Sequence, residues 1–280
     1  MIVRKRNAPN LLLAVLIVAT GIGISLTARA ADVDMYDGNV HYVVTPYLWL
    51  PGMTGDFNIT LPSGVAIQPG ATIRPDDYLR DLKFAVMLAG EVRKGEWALA
   101  TDLIYVDFSD LTSHVKNLTG PGGIVTVPVS AGVNLGMRAT IWTIVGSYTA
   151  VHNSGGSLDV IGGFRYAGIR TSADWTVAGT GGLFSQSGSV AQSLNLYDGI
   201  VGVRGVAVLG PDGKWILPFE ADVGAGNSNW TWQAYAGLGY RFDWGDVVVS
   251  FRNLSFDQSA GKTLQGLRMT GPALSATFRW

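Results

Sequence analysis

Cysteine is absent from this 280-residue chain, and histidine occurs only three times. Without thiols the chain forms neither disulfides nor thiolate metal sites. The histidines, His41, His114 and His152, are far apart in the sequence, so a metal site built from them would need an improbable convergence. No complete dinucleotide-binding glycine motif or phosphate-binding loop occurs either. The sequence therefore predicts neither a bound metal nor a cofactor.

Long hydrophobic runs are confined to the N-terminus. The basic residues 4–6 precede the almost wholly apolar stretch 11–26, and residues 28–30 (Ala-Arg-Ala) match a small-residue cleavage signature. We therefore expect residues 1–30 to be a cleaved signal peptide and residues 31–280 to form one mature domain. Because no comparable run follows, we expect no transmembrane helix in that domain.

Charge is scarce as well, since charged residues make up only 15% of the chain and the formal net charge is −1 at pH 7. Cleavage of the predicted signal peptide would remove four basic residues and no acidic one, which leaves a net charge of −5. A negative chain is a poor partner for nucleic acid. We therefore expect no nucleic-acid binding.

Glycine and aromatic residues are plentiful by contrast, with 37 glycines, 9 tryptophans, 10 tyrosines and 10 phenylalanines. This composition suits closed, twisted sheets with aromatic girdles. In the segment from Trp230 to Trp244, every second residue is apolar or aromatic, and the rings cluster at both ends. Because successive side chains of a strand point to opposite faces, the segment predicts a strand with one lipid-facing side.

Ten segments alternate in this way, and the links between them are short and long in turn, which is typical of outer-membrane barrels. We predict an all-β fold, a closed antiparallel transmembrane β-barrel of about ten strands. Eight or twelve strands are alternatives, and a soluble exported β-sandwich is the rival fold. In the long link 55–82 we expect a short helix at 74–80 and a hairpin around 62–64. The predicted strands are residues 40–54, 83–94, 97–106, 137–151, 157–175, 193–209, 215–226, 230–244, 246–257 and 273–280.

Charged residues recur on the faces opposite the apolar ones. Four times a small residue, an aromatic and an arginine follow one another, ending at Arg165, Arg241, Arg252 and Arg279. If the rings face lipid, these arginines face the lumen, and we expect all four in its periplasmic half. Because unpaired charges in a narrow lumen are costly, we predict a charge-paired network that braces the barrel, with a narrow polar passage as the alternative. The predicted network comprises Glu91, Arg93, Asp102, Asp159, Arg165, Asp198, Arg204, Glu220, Asp222, Arg241, Arg252 and Arg279.

Aromatic residues on the outward faces are predicted to lie at the lipid interfaces, where amphipathic rings are enriched. The candidates are Trp97, Trp215, Trp230, Trp232, Tyr240, Phe242, Trp244, Phe278 and Trp280.

The last segment, residues 273–280, resembles the C-terminal strand of bacterial outer-membrane barrels, whose terminal aromatic is recognised by the assembly machinery. Those barrels usually carry Phe where this chain has Trp280. The chain also resembles a family of uncharacterised proteobacterial outer-membrane β-barrel proteins, related to small porin-like and opacity-type barrels. The segments that carry this resemblance are Thr45–Gly52, Gly95–Trp97, Thr101–Tyr105, Gly202–Arg204, Trp230–Gln233 and Gly239–Phe242. The resemblance implies a location in the outer membrane of a Gram-negative cell. It also implies contacts with outer-membrane lipids, lipopolysaccharide and the barrel assembly machinery.

For function we expect a non-enzymatic barrel, either a structural or surface protein or a narrow porin-like passage for small polar solutes. The alternative is a lipid-modifying enzyme. His152-Asn153-Ser154 resembles the H-x-S arrangement of outer-membrane lipid A deacylases, with Asp159 as a candidate orienting acid. Those enzymes act at the outer leaflet, whereas this group falls in a predicted periplasmic turn. An ordinary polar turn is therefore the favoured interpretation.

Overall fold

The computed structural model describes residues 34–57, 59–60, 66–67, 70–79, 82–113, 118–119, 126–127, 131–178, 185–258 and 264–280. The predicted signal peptide lies outside these ranges. Among the described residues, no helix has the length and apolar character needed to cross a membrane.

Strands account for almost all of the regular structure. In chain order they are β1 (Val40–Trp49), β2 (Gly52–Phe57), β3 (Ile59–Thr60), β4 (Ala66–Ile67), β5 (Gly70–Ile73), β6 (Leu82–Lys94), β7 (Trp97–Ser113), β8 (Leu118–Thr119), β9 (Thr126–Val127), β10 (Ala131–Asn153), β11 (Gly156–Ala178), β12 (Ser185–Leu209), β13 (Trp215–Gly226), β14 (Trp230–Phe242), β15 (Gly245–Asp257) and β16 (Leu264–Arg279). One short helix, α1 (Pro75–Tyr78), precedes β6.

Ten of these strands close into an antiparallel barrel in the order β1-β6-β7-β10-β11-β12-β13-β14-β15-β16, with β16 returning to β1. At this seam Val43 pairs with Arg279 and Tyr47 with Ser275. Tyr42 and Trp280 exchange two backbone hydrogen bonds of 2.9 and 3.1 Å. The prediction of a closed ten-stranded barrel is confirmed, and the eight-stranded, twelve-stranded and sandwich alternatives are wrong.

The barrel has two different ends. At one end, called the turn end, lie the tight turns 95–96, 154–155 and 243–244, together with the start of β1 and the end of β16. At the other, called the loop end, lie the long connections. Gly95 lies in the first turn with a φ of +58°, a left-handed conformation that glycine adopts without steric cost.

Strands β10, β11 and β12 are the longest, with 23, 23 and 25 residues. At the loop end β7 reaches almost as far as β10, since its last residue, Ser113, pairs with Val133, and the predicted end of β7 at 106 is therefore too early. The sequence analysis began β10 at 137 and β12 at 193, which is too late. In these extensions small and polar residues occupy both faces, as in Ser185-Gln186-Ser187-Gly188-Ser189. No apolar periodicity therefore marks them as strand. Strand β16 also begins earlier than predicted, at Leu264 rather than 273.

The first long connection contains the two elements expected of it. Helix α1 lies within the predicted 74–80, and β3 pairs with β4 on either side of the predicted hairpin at 62–64, a position outside the described residues. Strand β2 continues β1 beyond Pro51 and stays paired with β16, while its other edge pairs with β5 instead of β6. The wall is therefore locally branched at the loop end.

The predicted strand 230–244 extends two residues too far, because the turn lies at 243–244 and both Gly245 and Asp246 belong to β15. A Cβ atom on Gly245 would lie 2.1 Å from the Thr277 carbonyl oxygen. This glycine therefore marks a close approach of the β16 backbone, and it is not the turn itself.

Side chains divide cleanly between the two surfaces of the wall. Outward positions are apolar and exposed, for example Trp97 at 67% and Val249 at 61%. Inward positions on the same strands hold buried polar residues, including Ser250 and Arg252 on β15. This inversion of the soluble pattern is that of a barrel whose outer wall faces lipid.

Candidate functional site

The lumen at the turn end holds a four-membered ion cluster. Arg93 of β6 contacts Glu91 at 2.7 Å and Asp159 of β11 at 2.6 Å. Arg204 of β12 approaches the same two acids, at 2.6 Å from Glu91 and 3.4 Å from Asp159. Thr149 accepts a hydrogen bond from Arg93 and donates one to Asp159. Each arginine therefore bridges two carboxylates, the use of the guanidinium fork that favours buried ion pairs.

A second ion pair lies near mid-height, between Arg165 of β11 and Asp222 of β13. Two parallel hydrogen bonds of 2.9 and 2.7 Å join them, and both side chains are 0% exposed. Gly202 of the intervening β12 is directly opposite Asp222. A Cβ atom there would lie 2.7 Å from the Asp222 Cβ atom, so a side chain at this position would crowd the carboxylate.

A hydrogen-bonded chain then crosses the lumen through five strands. Tyr47 of β1 donates to Asp102 of β7 at 2.5 Å, and Arg252 of β15 contacts the same carboxylate at 2.7 Å. Arg252 also donates to the Gln233 side-chain oxygen at 3.0 and 2.6 Å. Gln233 in turn donates to Glu220 at 2.6 Å. We call these five residues the central chain.

An apolar cluster fills the lumen beyond the central chain, towards the loop end. The Arg252 guanidinium lies 5.1 Å from the centre of the Trp49 ring, so a cation–π contact joins the two layers. The Trp49 indole nitrogen donates to the Gly271 carbonyl oxygen at 3.2 Å. The cluster comprises Trp49, Met53, Ile104, Phe108, Ile141, Ala167, Leu196, Leu254, Phe256, Met269 and Ala273.

A cavity of about 230 Å³ lies between the turn-end cluster and the central chain, because members of both line it. Glu91 and Arg204 belong to the first group, and Asp102, Glu220 and Arg252 to the second. The remaining lining includes apolar side chains such as Val43 and Val145. A cavity of this size has room for several water molecules, at roughly 30 Å³ each.

At the turn-end mouth, Asp246 is the acid that the sequence analysis missed. It pairs with Arg279, and it lies 3.9 Å from Arg241. Residue 246 was the first residue of the predicted strand 246–257, next to the turn, and it was not counted among the lumen charges. Arg241 and Arg279 lie at this end, whereas Arg165 and Arg252 lie halfway along their strands, where they pair with Asp222 and Asp102. The four repeated arginines therefore do not share one half of the lumen, contrary to expectation.

Within the described residues, two acids of the predicted network form no ion pair with an arginine. Glu220 contacts Gln233, as described above. Asp198 is opposite Arg165 in the register, but the guanidinium turns to Asp222 instead. Asp198 accepts a hydrogen bond from the Ser228 backbone N–H at 2.8 Å, and its Oδ2 atom has no partner within the described part of the chain.

The segment before β1 covers part of the turn-end mouth. The Tyr36 ring stacks on His152 with 3.8 Å between centroids, and the Arg93 guanidinium lies 5.0 Å from its centre. The His41 imidazole lies 2.7 Å from Asp37. This contact, with further hydrogen bonds from Asn39, lowers the pKa of Asp37 to about 2.

The His152-Asn153-Ser154 group lies in the predicted turn-end position. Its imidazole stacks on Tyr36, the Asn153 side chain accepts a hydrogen bond from the Gly155 N–H, and Ser154 lies in the turn itself. Asp159, the candidate orienting acid, is engaged by Arg93 and Thr149. The described contacts therefore assemble no nucleophile and base from this group.

Predicted interface aromatics on the last strands form one continuous band at the turn end. Ring contacts run from Trp215 through Tyr240, Phe242 and Trp244 to Phe278. Trp280 stacks on Tyr42, and Trp97 lies against Tyr148. Trp230 and Trp232 begin β14 at the opposite end. The sequence analysis did not single out the other outward rings of the loop-end half, Phe84, Tyr105, Trp142, Tyr166 and Tyr197.

Comparison with known proteins adds fold information. No protein-family model and no curated protein matches the chain. Among solved structures it is similar to the outer membrane protease OmpT from Escherichia coli, with a TM-score of 0.50 and 8% identity, over 90% of this chain and 99% of that one. The fold is that of an outer-membrane β-barrel.

Two other solved structures show a weaker likeness to the chain. The translocator domain of the autotransporter NalP from Neisseria meningitidis gives a TM-score of 0.39 at 13% identity, covering 96% of this chain and 98% of that one. Ail, the attachment invasion locus protein of Yersinia pestis, gives 0.30 at 8% identity, covering 86% and 98%.

Proposed function

We propose that this protein is a non-enzymatic β-barrel of the Gram-negative outer membrane, with a sealed lumen and a structural or surface role. The observation that carries the proposal is the Arg165–Asp222 pair, bidentate and fully buried in the middle of the lumen. A solute path would have to pass this pair, the central chain and the apolar cluster in turn. Ten strands are also close to the number that side chains can fill.

The layers oppose permeation for different physical reasons. A charged or polar solute would have to break hydrogen bonds in the central chain, and removing one partner of a buried ion pair costs about 3–5 kcal/mol. Beyond it, the same solute would lose its hydration against Trp49, Leu254 and Phe256, all of which are buried. A solute that suits one layer is therefore excluded by the other.

Planar-bilayer recording of the purified protein tests the sealed lumen. We expect wild type to give no conductance steps. The double variant Arg252→Ala with Trp49→Ala removes one large side chain from each layer, and it should give small conductance steps. The matched control Trp97→Ala removes an equally large ring from the outer wall and should stay silent. Regular conductance steps from wild type would contradict the proposal.

A narrow passage for small polar solutes is the second candidate, and the cavity beside the central chain favours it. In that case Glu91, Asp102, Glu220 and the arginines beside them would set selectivity. Wild type would then conduct, and Glu220→Gln would change its cation preference.

We further propose membership of the proteobacterial outer-membrane barrel family that the sequence resembles, and a turn end that faces the periplasm. Cell fractionation with gels of boiled and unboiled samples tests the location, since a folded barrel should remain with the outer membrane and shift its mobility on boiling. For enzymatic activity, wild type and His152→Ala should leave lipopolysaccharide equally unmodified. Deacylated product from wild type alone would instead support the lipid-modifying alternative.

A further inference from the structure

Two cations lie side by side on the outer wall of the barrel. Arg138 of β10 and Arg170 of β11 are direct partners in the antiparallel register, and both are exposed. Side chains of directly opposed residues leave the same face of a sheet about 5 Å apart, and like charges in this arrangement repel. The pair therefore requires counter-charge.

One carboxylate supplies part of that charge. Asp107 of β7 is opposite Arg138 on its other side, and its Oδ2 atom accepts hydrogen bonds of 3.1 and 2.9 Å from that arginine. Arg170 forms no ion pair within the described part of the chain. Arg138, Arg170 and Asp107, here called the arginine patch, thus carry one net positive charge.

Aromatic residues fix the level of the arginine patch on the wall. Phe84 is opposite Asp107 on β6, and its ring meets Tyr105 edge-on at 6.0 Å. The Tyr166 ring lies over Gly168, since a Cβ atom there would be 2.3 Å from its hydroxyl oxygen. That hydroxyl, which donates to Asn195 at 2.7 Å, therefore points along β11 towards the loop end. Rings with their polar tips turned this way mark the border of the apolar wall.

We propose that the arginine patch binds the phosphate group of a phosphorylated glycolipid of the lipid A type in the outer leaflet. Phosphate oxygens match the guanidinium fork, and one phosphate can accept hydrogen bonds from both arginines. The exposed apolar wall on the turn-end side of the patch offers a surface for the acyl chains. This continuity favours a lipid phosphate over free phosphate. The inference rests on the proposed outer-membrane location.

Native mass spectrometry of the folded protein in a non-ionic detergent, with bis-phosphorylated lipid A as the probe, tests the site. The variant Arg138→Ala with Arg170→Ala should bind the lipid about thirtyfold more weakly than wild type, as expected for the loss of two surface cations at about 1 kcal/mol each. The matched control is Arg268→Ala, which removes an exposed arginine of β16 that is opposite Ser255 and Thr54. It should bind like wild type.

Further controls test whether the lipid phosphate and the guanidinium groups are responsible for the binding. Lipid A without phosphates should bind wild type and the double variant equally weakly, and millimolar inorganic phosphate should not displace lipid A. Arg138→Lys with Arg170→Lys keeps the charge without the fork, and we expect intermediate binding. It also replaces the alanine variant if that variant does not fold.

Equal binding of lipid A by wild type and the double variant would overturn the inference. So would tight binding of the dephosphorylated lipid, or displacement by free phosphate. The proposed sealed barrel would survive each of these results, because conductance and fractionation do not depend on the arginine patch. Wild-type conductance would count against the proposed sealed lumen alone, whereas soluble fractionation would remove the membrane location on which the inference rests.

Discussion

The two halves of the lumen are filled by opposite chemistry. Towards the turn end, ion pairs and hydrogen bonds join β6, β11 and β12, and then β1, β7, β13, β14 and β15. Towards the loop end, apolar side chains from the same wall meet without charge. Charge pairs fix geometry, because each group has a small set of partners, while apolar packing excludes water without choosing partners. The polar contacts of the turn-end half thus determine which residues pair, and the apolar packing of the loop-end half excludes water.

Breaking an ion pair in the polar half should have the largest effect. Asp222→Ala leaves the fully buried Arg165 without its carboxylate, which should cost about 3–5 kcal/mol of unfolding free energy. Urea titration of the protein in lipid vesicles, with the folded fraction read from its gel mobility without boiling, measures the loss of unfolding free energy. Replacing both partners, as in Arg165→Met with Asp222→Leu, should restore most of it. A loss below about 1 kcal/mol in the single variant would show that the pair is not needed to stabilise the lumen.

Breaking the apolar half should cost somewhat less. Leu254→Ala empties a fully buried position beside Trp49 and should lower stability by about 3 kcal/mol, through lost burial and the cavity left behind. Unlike the charge variant, it should respond little to ionic strength in the same titration. The exposed outer-wall position gives the control, since Leu238→Ala should change stability far less. A salt-dependent loss at Leu254 would contradict the division into two halves.

A single hydrogen bond in the central chain sharpens the comparison. Tyr47→Phe removes the donor to Asp102 while keeping the ring, and we expect a loss of about 1–2 kcal/mol. Tyr197→Phe on the outer wall removes an exposed hydroxyl and should be silent. If both substitutions were equally silent, water in the adjoining cavity would be replacing the lost bond.

The smallest effect concerns the turn-end rim and depends on pH. Asp37 has a pKa lowered to about 2 by His41 and Asn39, from an ordinary 3.8. Because the folded pKa is lowered, this carboxylate contributes stability above about 3.8, and the contribution is lost as pH falls through about 2. NMR titration should place the midpoint near 2 in wild type and nearer 3.8 in His41→Ala. An unchanged midpoint in the variant would exclude the contact as its cause.

Most of the barrel could be predicted from sequence because lipid imposes a strict period of two. Segments such as β14 carry apolar residues on every outward position, so their alternation survives without an alignment. The loop-end extensions of β10, β11 and β12 carry no such constraint. A segment with polar residues on both faces can be either a strand in water or a loop. The full length of these three strands was therefore not predicted.

The members of the lumen network could be named, but their partners could not. Alternation identifies an inward residue, whereas partner choice depends on the stagger between strands and on side-chain direction. Arg165 illustrates this, because it passes over Gly202 to reach Asp222 and leaves Asp198, its direct neighbour in the register. Asp246 shares the inward face of Arg252 by alternation, but it stands at the first position of the predicted strand 246–257, where the boundary with the turn hid its role.

The seam between β1 and β16 also constrains how the barrel forms. Strand β1 finds one neighbour in β6, which follows soon after it, but its other neighbour is the last strand of the barrel. The hydrogen bonds between Tyr42 and Trp280 join residues that are separated by nearly the whole domain in the sequence. Such long-range pairing makes folding slow. Until β16 has paired with β1, the edge of β1 has unpaired backbone groups that any other strand could bind. Closure is therefore a late event, and the unclosed sheet is the state that most needs protection from aggregation.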